Sequence, residues 1–206
     1  MSIRKARAGD AAAFLRIKAQ LPMPEGLATT TGGFLLGTDE ATYDHYIREV
    51  HCLIAEQEGA PCGFGIVFPD EMVKASDIWQ RRRSAQWLLD IEAYEHVSLA
   101  YFEQLAFLHG TRRTALAAAF HLTKIAFEGG AEAIFTTTVQ SPILNLAALP
   151  FIKAAGGVKA GNIAEDYPGI GPIRSDIYLL RREVFEREVP KRAFYDYLCS
   201  TSVSAA

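Results

Sequence analysis

Twelve residues near the middle of the chain, HGTRRTALAAAF from His109 to Phe120, combine a turn glycine, two arginines and four alanines. A helix N-terminus carries free N–H groups and a partial positive charge, so a small basic turn ahead of it can hold a phosphate. Arg112 and Arg113 supply charge there. Ala115 and Ala117 are small enough to let an anion near the backbone, though glycine would do so better. The alternative is an alanine-rich helix packed tightly on a sheet, and the motif alone does not separate the two. Just upstream, Glu103 lies in the strand-like run YFEQLAFL of residues 101–108. Strict alternation places it on one face with Tyr101, Leu105 and Phe107. A carboxylate on a largely apolar face is costly unless it has a partner or a chemical role. General-base catalysis is one such role. An arginine partner from residues 70–98, or a solvated strand end, is the other account.

Other reactive side chains form no comparable set. His45, His51 and His96 lack metal-ligand spacing, so no metal is expected. The three cysteines, Cys52, Cys62 and Cys199, make no C-x-x-C pair. Cys52 and Cys62 are expected to face each other across a hairpin as small core residues. No G-x-S-x-G elbow offers a serine nucleophile. Arg81–Arg83 reads as a solvated helix face or as a clamp for an acidic acceptor.

These residues need elements to position them. The run 101–108 reads as a strand, 114–128 as a buried helix closed by Gly129 and Gly130, and AIFTTTV, residues 133–139, as a second buried strand. Strand, helix, strand at this spacing predicts a right-handed unit with parallel strands. Upstream, Asp10 is expected to cap a helix over AAAFLRIKAQL, and Thr38 or Asp39 a second short helix. HCLIAEQEGAPCGFGIVF reads as a hairpin, with Gly63 and Gly65 marking a bulge or a close backbone approach. Residues 70–98 look like an insert or lid. Downstream, ILNLAALPFIKAAGG predicts a helix that Pro150 kinks, and IRSDIYLL a final strand. Residues 183–206 form an amphipathic extension, expected to pack on the domain or on a second copy of the chain. Its last residues, STSVSAA, are expected to be loose.

Composition bounds the function. The chain has 206 residues, half of them hydrophobic and 22% charged, which fits one globular domain with a sizeable core. Its formal net charge of -3 argues against a general nucleic-acid binder. No apolar run approaches a membrane span, and MSIRKARAGD lacks the apolar core of a signal peptide, so the cytoplasm is the expected compartment.

With these residues in view, the chain resembles the GNAT superfamily of acyl-CoA-dependent N-acyltransferases over about residues 3–180. IRKARAGDAAAFLRI resembles that family's first strand and helix, CLIAEQEGAPCGFGIVF its central hairpin, YFEQLAFLHGTRRTAL its strand and pyrophosphate loop, and SPILNLAALPFIKAAGG its later helix. The resemblance implies an α/β (α+β) fold, a mixed and mostly antiparallel sheet with one splayed parallel pair and flanking helices. The domain would span residues 1–182. It further implies acetyl-CoA or another acyl-CoA as co-substrate and a small-molecule primary amine as acceptor. The amides of Arg113, Thr114, Ala115, Leu116 and Ala117, beside Arg112, would hold the pyrophosphate. The edge of Leu105, Ala106 and Phe107 would pair with the pantetheine arm, and Asn145 would help to hold it. Glu103 would be the base and Tyr101 a candidate donor to the leaving thiolate.

The loop is degenerate against the family's Q/R-x-x-G-x-G/A, with Ala115 where a glycine is usual. Ile152 stands where the family often has an acidic tyrosine, and Gly156-Gly157 replaces the closing Gly-Phe. Two rivals follow: a non-catalytic acyl-CoA-binding relative, and an acyltransferase fed by acyl carrier protein. A Rossmann-type nucleotide enzyme is disfavoured, because G-x-G-x-x-G is absent.

Overall fold

The structure is a computed structural model and describes residues 1–35, 37–167 and 170–204, without the side chains of residues 77 and 78. In chain order, Ser2–Lys5 forms β1, Ala11–Ala19 α1, Ala28–Thr29 β2, Glu40–Glu49 α2, His51–Gln57 β3 and Ala60–Phe68 β4. Asp70–Ala75 forms α3, Asp77–Gln80 α4, Gln86–Trp87 β5, Leu99–Phe107 β6, Arg112–Glu128 α5, Ala133–Ser141 β7 and Leu144–Asn145 β8. Leu149–Ala154 forms α6, Val158–Tyr167 β9, Gly171–Arg181 β10, Arg182–Glu188 α7, Tyr195–Ser200 α8 and Val203–Ser204 β11.

Nine strands build one twisted sheet in the order β11-β1-β3-β4-β6-β7-β10-β9-β5. Neighbours are antiparallel except β1 with β11 and, at the centre, β6 with β7. The strand–helix–strand unit expected around the basic turn is therefore present, as β6-α5-β7. One face of the sheet packs Phe14 of α1 and Tyr43 of α2 against Phe64, Leu99, Tyr101 and Phe135. The other packs Phe120, Leu122 and Phe127 of α5 against Ala100 and Ile134. Phe14, Phe64, Leu99 and Leu122 are fully buried, and each such side chain contributes about 1.5–3 kcal/mol.

The β3–β4 hairpin turns on Glu58 (φ 53°) and Gly59 (φ 80°), the two positive φ angles that a tight two-residue turn needs. That turn fixes a register in which Cys52 lies opposite Ile66. Cys52 and Cys62 are therefore not opposite each other, and they belong to cores on different faces of the sheet. Gly63 and Gly65 do mark a close approach: a Cβ at Gly63 would lie 2.2 Å from the Phe107 ring, and one at Gly65 2.4 Å from Leu122.

Several local expectations give way to tertiary contacts. Asp10 does not cap α1 with its side chain; the carboxylate is taken by Arg4, at 2.7 Å, and by the amide of Arg7, at 2.8 Å. Asp39 does cap α2, accepting from the Thr42 amide at 2.8 Å. The helix over residues 143–157 is shorter than expected. Leu144 and Asn145 are extended and pair in parallel with Ala28 and Thr29, and Pro150 sits in the first turn of α6 where it is tolerated. The segment VKAGNIAEDY becomes β9, which its Gly, Asn, Glu and Asp did not announce. It forms because it pairs along β10. At the C-terminus Phe185, Val189 and Leu198 enter the α5-side core, so the amphipathic run packs on its own chain. Val203 and Ser204 are not loose but pair with Ile3 and Arg4.

Candidate active site

The central strands β6 and β7 pair only from Leu99 to Tyr101, against Ala133 to Phe135. Beyond that point they part, and residues 102–107 of β6 have no ladder partner on the β7 side among the described residues. The gap is a cleft of about 1080 Å³. Its floor is bridged by side chains: the Tyr101 and Thr137 hydroxyl oxygens lie 3.0 Å apart, and the Thr136 hydroxyl donates to the Phe102 carbonyl at 3.0 Å.

A bulge stands where the strands separate. Ile66 of β4 opposes Gln104 and Val67 opposes Phe102, so Glu103 is the extra residue. The bulge resets the alternation that the sequence implied. Tyr101 and Ala106 face α1 and α2, whereas Phe107 packs on the α5 side. Leu105 lies beside Leu122 of α5 at Gly65. Glu103 therefore does not share a face with Leu105 and Phe107. It lines the cleft, and its charge raises the hydroxyls of Tyr43, Tyr46 and Tyr101.

Burial raises the Glu103 carboxyl from 4.5 to about 7; a bond from Gln104 opposes this, and the charge of Glu165 adds to it. Burial also pushes the Tyr101 hydroxyl above its ordinary value, so Tyr101 holds its proton through neutral pH. Glu165, on β9, lines the same cleft and is paired with Arg81 at 3.1 Å. The run Arg81–Arg83 is engaged with acidic residues: Arg82 and Arg83 reach Glu92 at 3.6 and 3.5 Å.

At the other end of the cleft, α5 begins at Arg112, and the Ala115 amide already bonds to the Thr111 carbonyl at 2.9 Å. Only the first-turn amides of Arg112, Arg113 and Thr114 therefore precede the helical ladder. The amides of Ala115, Leu116 and Ala117 lie within it. Of the six loop residues, Arg112 and Ala115 line the cleft. Arg113 lies over the Tyr197 ring at 4.6 Å, the Ala117 side chain is buried in the core, and Leu116 packs against that core. Thr114 is buried with its hydroxyl on Met1. Leu105, Ala106 and Phe107 line the cleft along the free edge, as do Asn145 and Ile152 from the β7 side. The Asn145 side-chain oxygen accepts from the Ala147 amide at 3.0 Å, which leaves its NH2 group for a ligand. The short β2–β8 ladder ties the α1–α2 connection to the segment after β7, through Leu144 N–H to Leu27 O at 3.0 Å and Leu146 N–H to Thr29 O at 2.8 Å.

An extended thioester arm fits this geometry. The unpaired β6 edge offers backbone partners, and Arg112 with the α5 first turn offers an anion site. Ala115 lines the cleft there, with a methyl where a glycine would leave the backbone more open. No cluster of three or more metal-ligating side chains occurs among the described residues. Sequence reasoning missed Thr137, Glu165, Gln104 and Tyr43. Three consecutive threonines in a buried strand were the available signal for the first; Gln104 is the chain neighbour of Glu103, and Tyr43 and Glu165 come from α2 and β9 through folding.

No family model matches the sequence, and no curated protein sequence matches it. Solved structures do match. A ribosomal-protein-alanine N-acetyltransferase from Brucella melitensis superposes with a TM-score of 0.57 at 15% identity, covering 88% of this chain and 99% of that one. Naa20 from Chaetomium thermophilum, in complex with a bisubstrate analogue, gives 0.59 at 12% identity, covering 100% and 97%. A NatC complex bound to Gag peptide and CoA gives 0.54 at 12% identity, covering 88% and 99%. The class defined by the splayed central strands is thus the GNAT fold, and this chain has that fold.

Proposed function

We propose that the chain transfers an acyl group, acetyl in the first instance, from acyl-CoA to the primary amine of a small molecule. The observation that carries this reading is the free β6 edge with Glu103 bulged at its head. The pantetheine arm would lie along Leu105, Ala106 and Phe107, with the pyrophosphate at Arg112 and the first turn of α5. The acceptor would approach from the side of Glu103, Glu165 and Arg81. Its neutral nitrogen attacks the thioester carbonyl carbon, the C–S bond breaks, and the thiolate leaves. Glu103, with a proton affinity near neutrality, takes the amine proton directly or through a water. Ile152 donates nothing, and Tyr101 binds its proton too tightly to be a strong acid. The proton gained by Glu103 is the one available to return to the thiolate.

A second reading is favoured by Ala115 and by Arg113, whose guanidinium is turned onto Tyr197. A weakened phosphate site beside an intact arm groove suits a donor carried on acyl carrier protein. Calorimetry with acetyl-CoA tests both. Micromolar binding supports the coenzyme A reading and justifies an amine panel scored by thiol release. No binding by the wild type, with turnover of an acylated carrier protein, would replace it by the second.

A further inference from the structure

Eight polar or charged side chains are buried among the described residues, and seven of them hold a partner within the chain. The eighth is Ser175 of β10. It is 2% exposed, and its hydroxyl bonds to no group among the described residues. The hydroxyl is not sealed in either, since the sealed and unpartnered side-chain atoms among the described residues are Arg82 Nε and His121 Nε2. It opens instead on the cleft, which Ser175 lines. A hydroxyl withdrawn from bulk water without a partner is costly, and a ligand group is what would satisfy it.

Register fixes where Ser175 points. The extra residues at the two bulges along β10 are Gln140 and Ala160, which belong to β7 and β9, so β10 itself alternates without a break. Ser175 therefore shares a face with Ile177 and Leu179, which pack on the α1–α2 side. Val139 of β7 and Ile163 of β9 stand directly opposite it. Diagonal to it on the same face are Thr137, whose hydroxyl meets that of Tyr101 at 3.0 Å, and Glu165, paired with Arg81 at 3.1 Å. A polar stripe thus crosses four adjacent strands, from Tyr101 on β6 through Thr137 and Ser175 to Glu165 on β9, between apolar neighbours. It begins where the central strands part and ends at the 70–98 segment. The cleft along it is rich in hydrogen-bond acceptors, because Glu103 and Asp166 line it together with Glu165.

We propose that Ser175 is a specificity-determining residue whose hydroxyl holds a second hydrogen-bonding group, a hydroxyl or an ammonium, on the acceptor amine. The substrate class it selects is short chains with an amine at one end and such a donor at the other. This rests on the functional reading above and adds the acceptor's far end to it. Neighbouring strands lie about 4.8 Å apart, so Ser175 is roughly 7–10 Å from the middle of the splay, within reach of a five-carbon chain.

The test uses three amines of equal length: 1,5-diaminopentane, 5-amino-1-pentanol and hexylamine, which end in an ammonium, a hydroxyl and a methyl group. Each is titrated into the 15N-labelled full-length protein and followed by amide chemical shifts. The diamine or the amino alcohol should bind about threefold to tenfold more tightly than hexylamine, the worth of one hydrogen bond. The order of those two names the donor. Ser175→Ala should bring the preferred ligand to within about twofold of hexylamine. Equal affinities for all three amines in the wild type, binding of none of them, or a preference that survives Ser175→Ala each overturn the proposal. A second readout needs no ligand. A hydroxyl with no partner inside the chain can be removed without loss, so the urea midpoint of Ser175→Ala should equal or exceed that of the wild type. A lower midpoint, or a variant that does not fold, would show that the hydroxyl serves the fold and would overturn the assignment. With acetyl-CoA present, the loss in Ser175→Ala should fall on KM for the preferred amine and leave kcat within about twofold. The titrations contain no acetyl-CoA, so its failure to bind would sink the functional reading while the three affinities still decide on Ser175.

Discussion

Tyr101, the last residue of β6 to pair with β7, and Thr137, two residues past its partner Phe135, touch hydroxyl to hydroxyl at 3.0 Å. The contact spans the base of the cleft and does there what the backbone ladder has ceased to do. One hydrogen bond of this kind is worth about 0.5–1.5 kcal/mol net. Tyr101→Phe and Thr137→Val should each destabilise the protein by about 1 kcal/mol, and the double variant should cost less than their sum. Urea unfolding of the four proteins measures the cycle, and full additivity would show that the contact carries no energy.

With Glu103 as the proposed base, activity is tied to pH: burial raises its carboxyl from 4.5 to about 7, and a base works when ionised. The rate should therefore climb with pH through about 7 and then level off. Glu103→Gln should abolish that limb and lower kcat at the plateau by about 100-fold or more. A retained limb with the same midpoint would assign the base elsewhere.

The same shift acts on stability, with a definite sign. A carboxyl with a raised value binds its proton more tightly in the folded protein than in the unfolded chain. The stability linked to that proton is complete below the unfolded value of 4.5 and is lost as pH rises through about 7. Glu103→Gln should be more stable than wild type by about 1–3 kcal/mol at alkaline pH and no more stable in acid. Urea midpoints at the two extremes check it.

Ala115→Gly should tighten acetyl-CoA binding, because the methyl that narrows the approach to the α5 first turn is removed. It should also cost about 1 kcal/mol of helix stability. Calorimetry and thermal unfolding read the two effects separately. Unchanged affinity would mean that the methyl is not in the path of the phosphates.

Gly63→Ala would place a methyl 2.2 Å from the Phe107 ring, which lines the cleft. The ring must move, so a loss of about 1–3 kcal/mol is expected together with weaker binding of the arm along β6. Unfolding and binding measured on one preparation check both.

Much of the frame was legible along the chain. The β6-α5-β7 unit rests on continuous apolar runs bounded by Gly110, Gly129 and Gly130, and such signals are local. The hairpin was legible for the same reason, since Glu58-Gly59 supplies its turn. β9 was not, because a strand of mixed polarity gains its stability from the partner it pairs with. The extent of α6 was not either: Leu144 and Asn145 are withdrawn from the helix by pairing with Ala28 and Thr29, more than a hundred residues earlier.

The site divides in the same way. The residue types at Glu103, Tyr101, Arg112 and Ala115 suit proton transfer and anion contact, and the net charge of -3 gives no sign of a general nucleic-acid binder. Only the tertiary structure decided which of them meet. A bulge inserts one residue and turns every later side chain to the opposite face, so alternation counted along β6 fails at the position that matters. Burial, which moves Glu103 towards neutrality, and the company of Tyr43 and Glu165 are properties of packing. No spacing in one strand encodes them, because Tyr43 comes from α2 and Glu165 from β9.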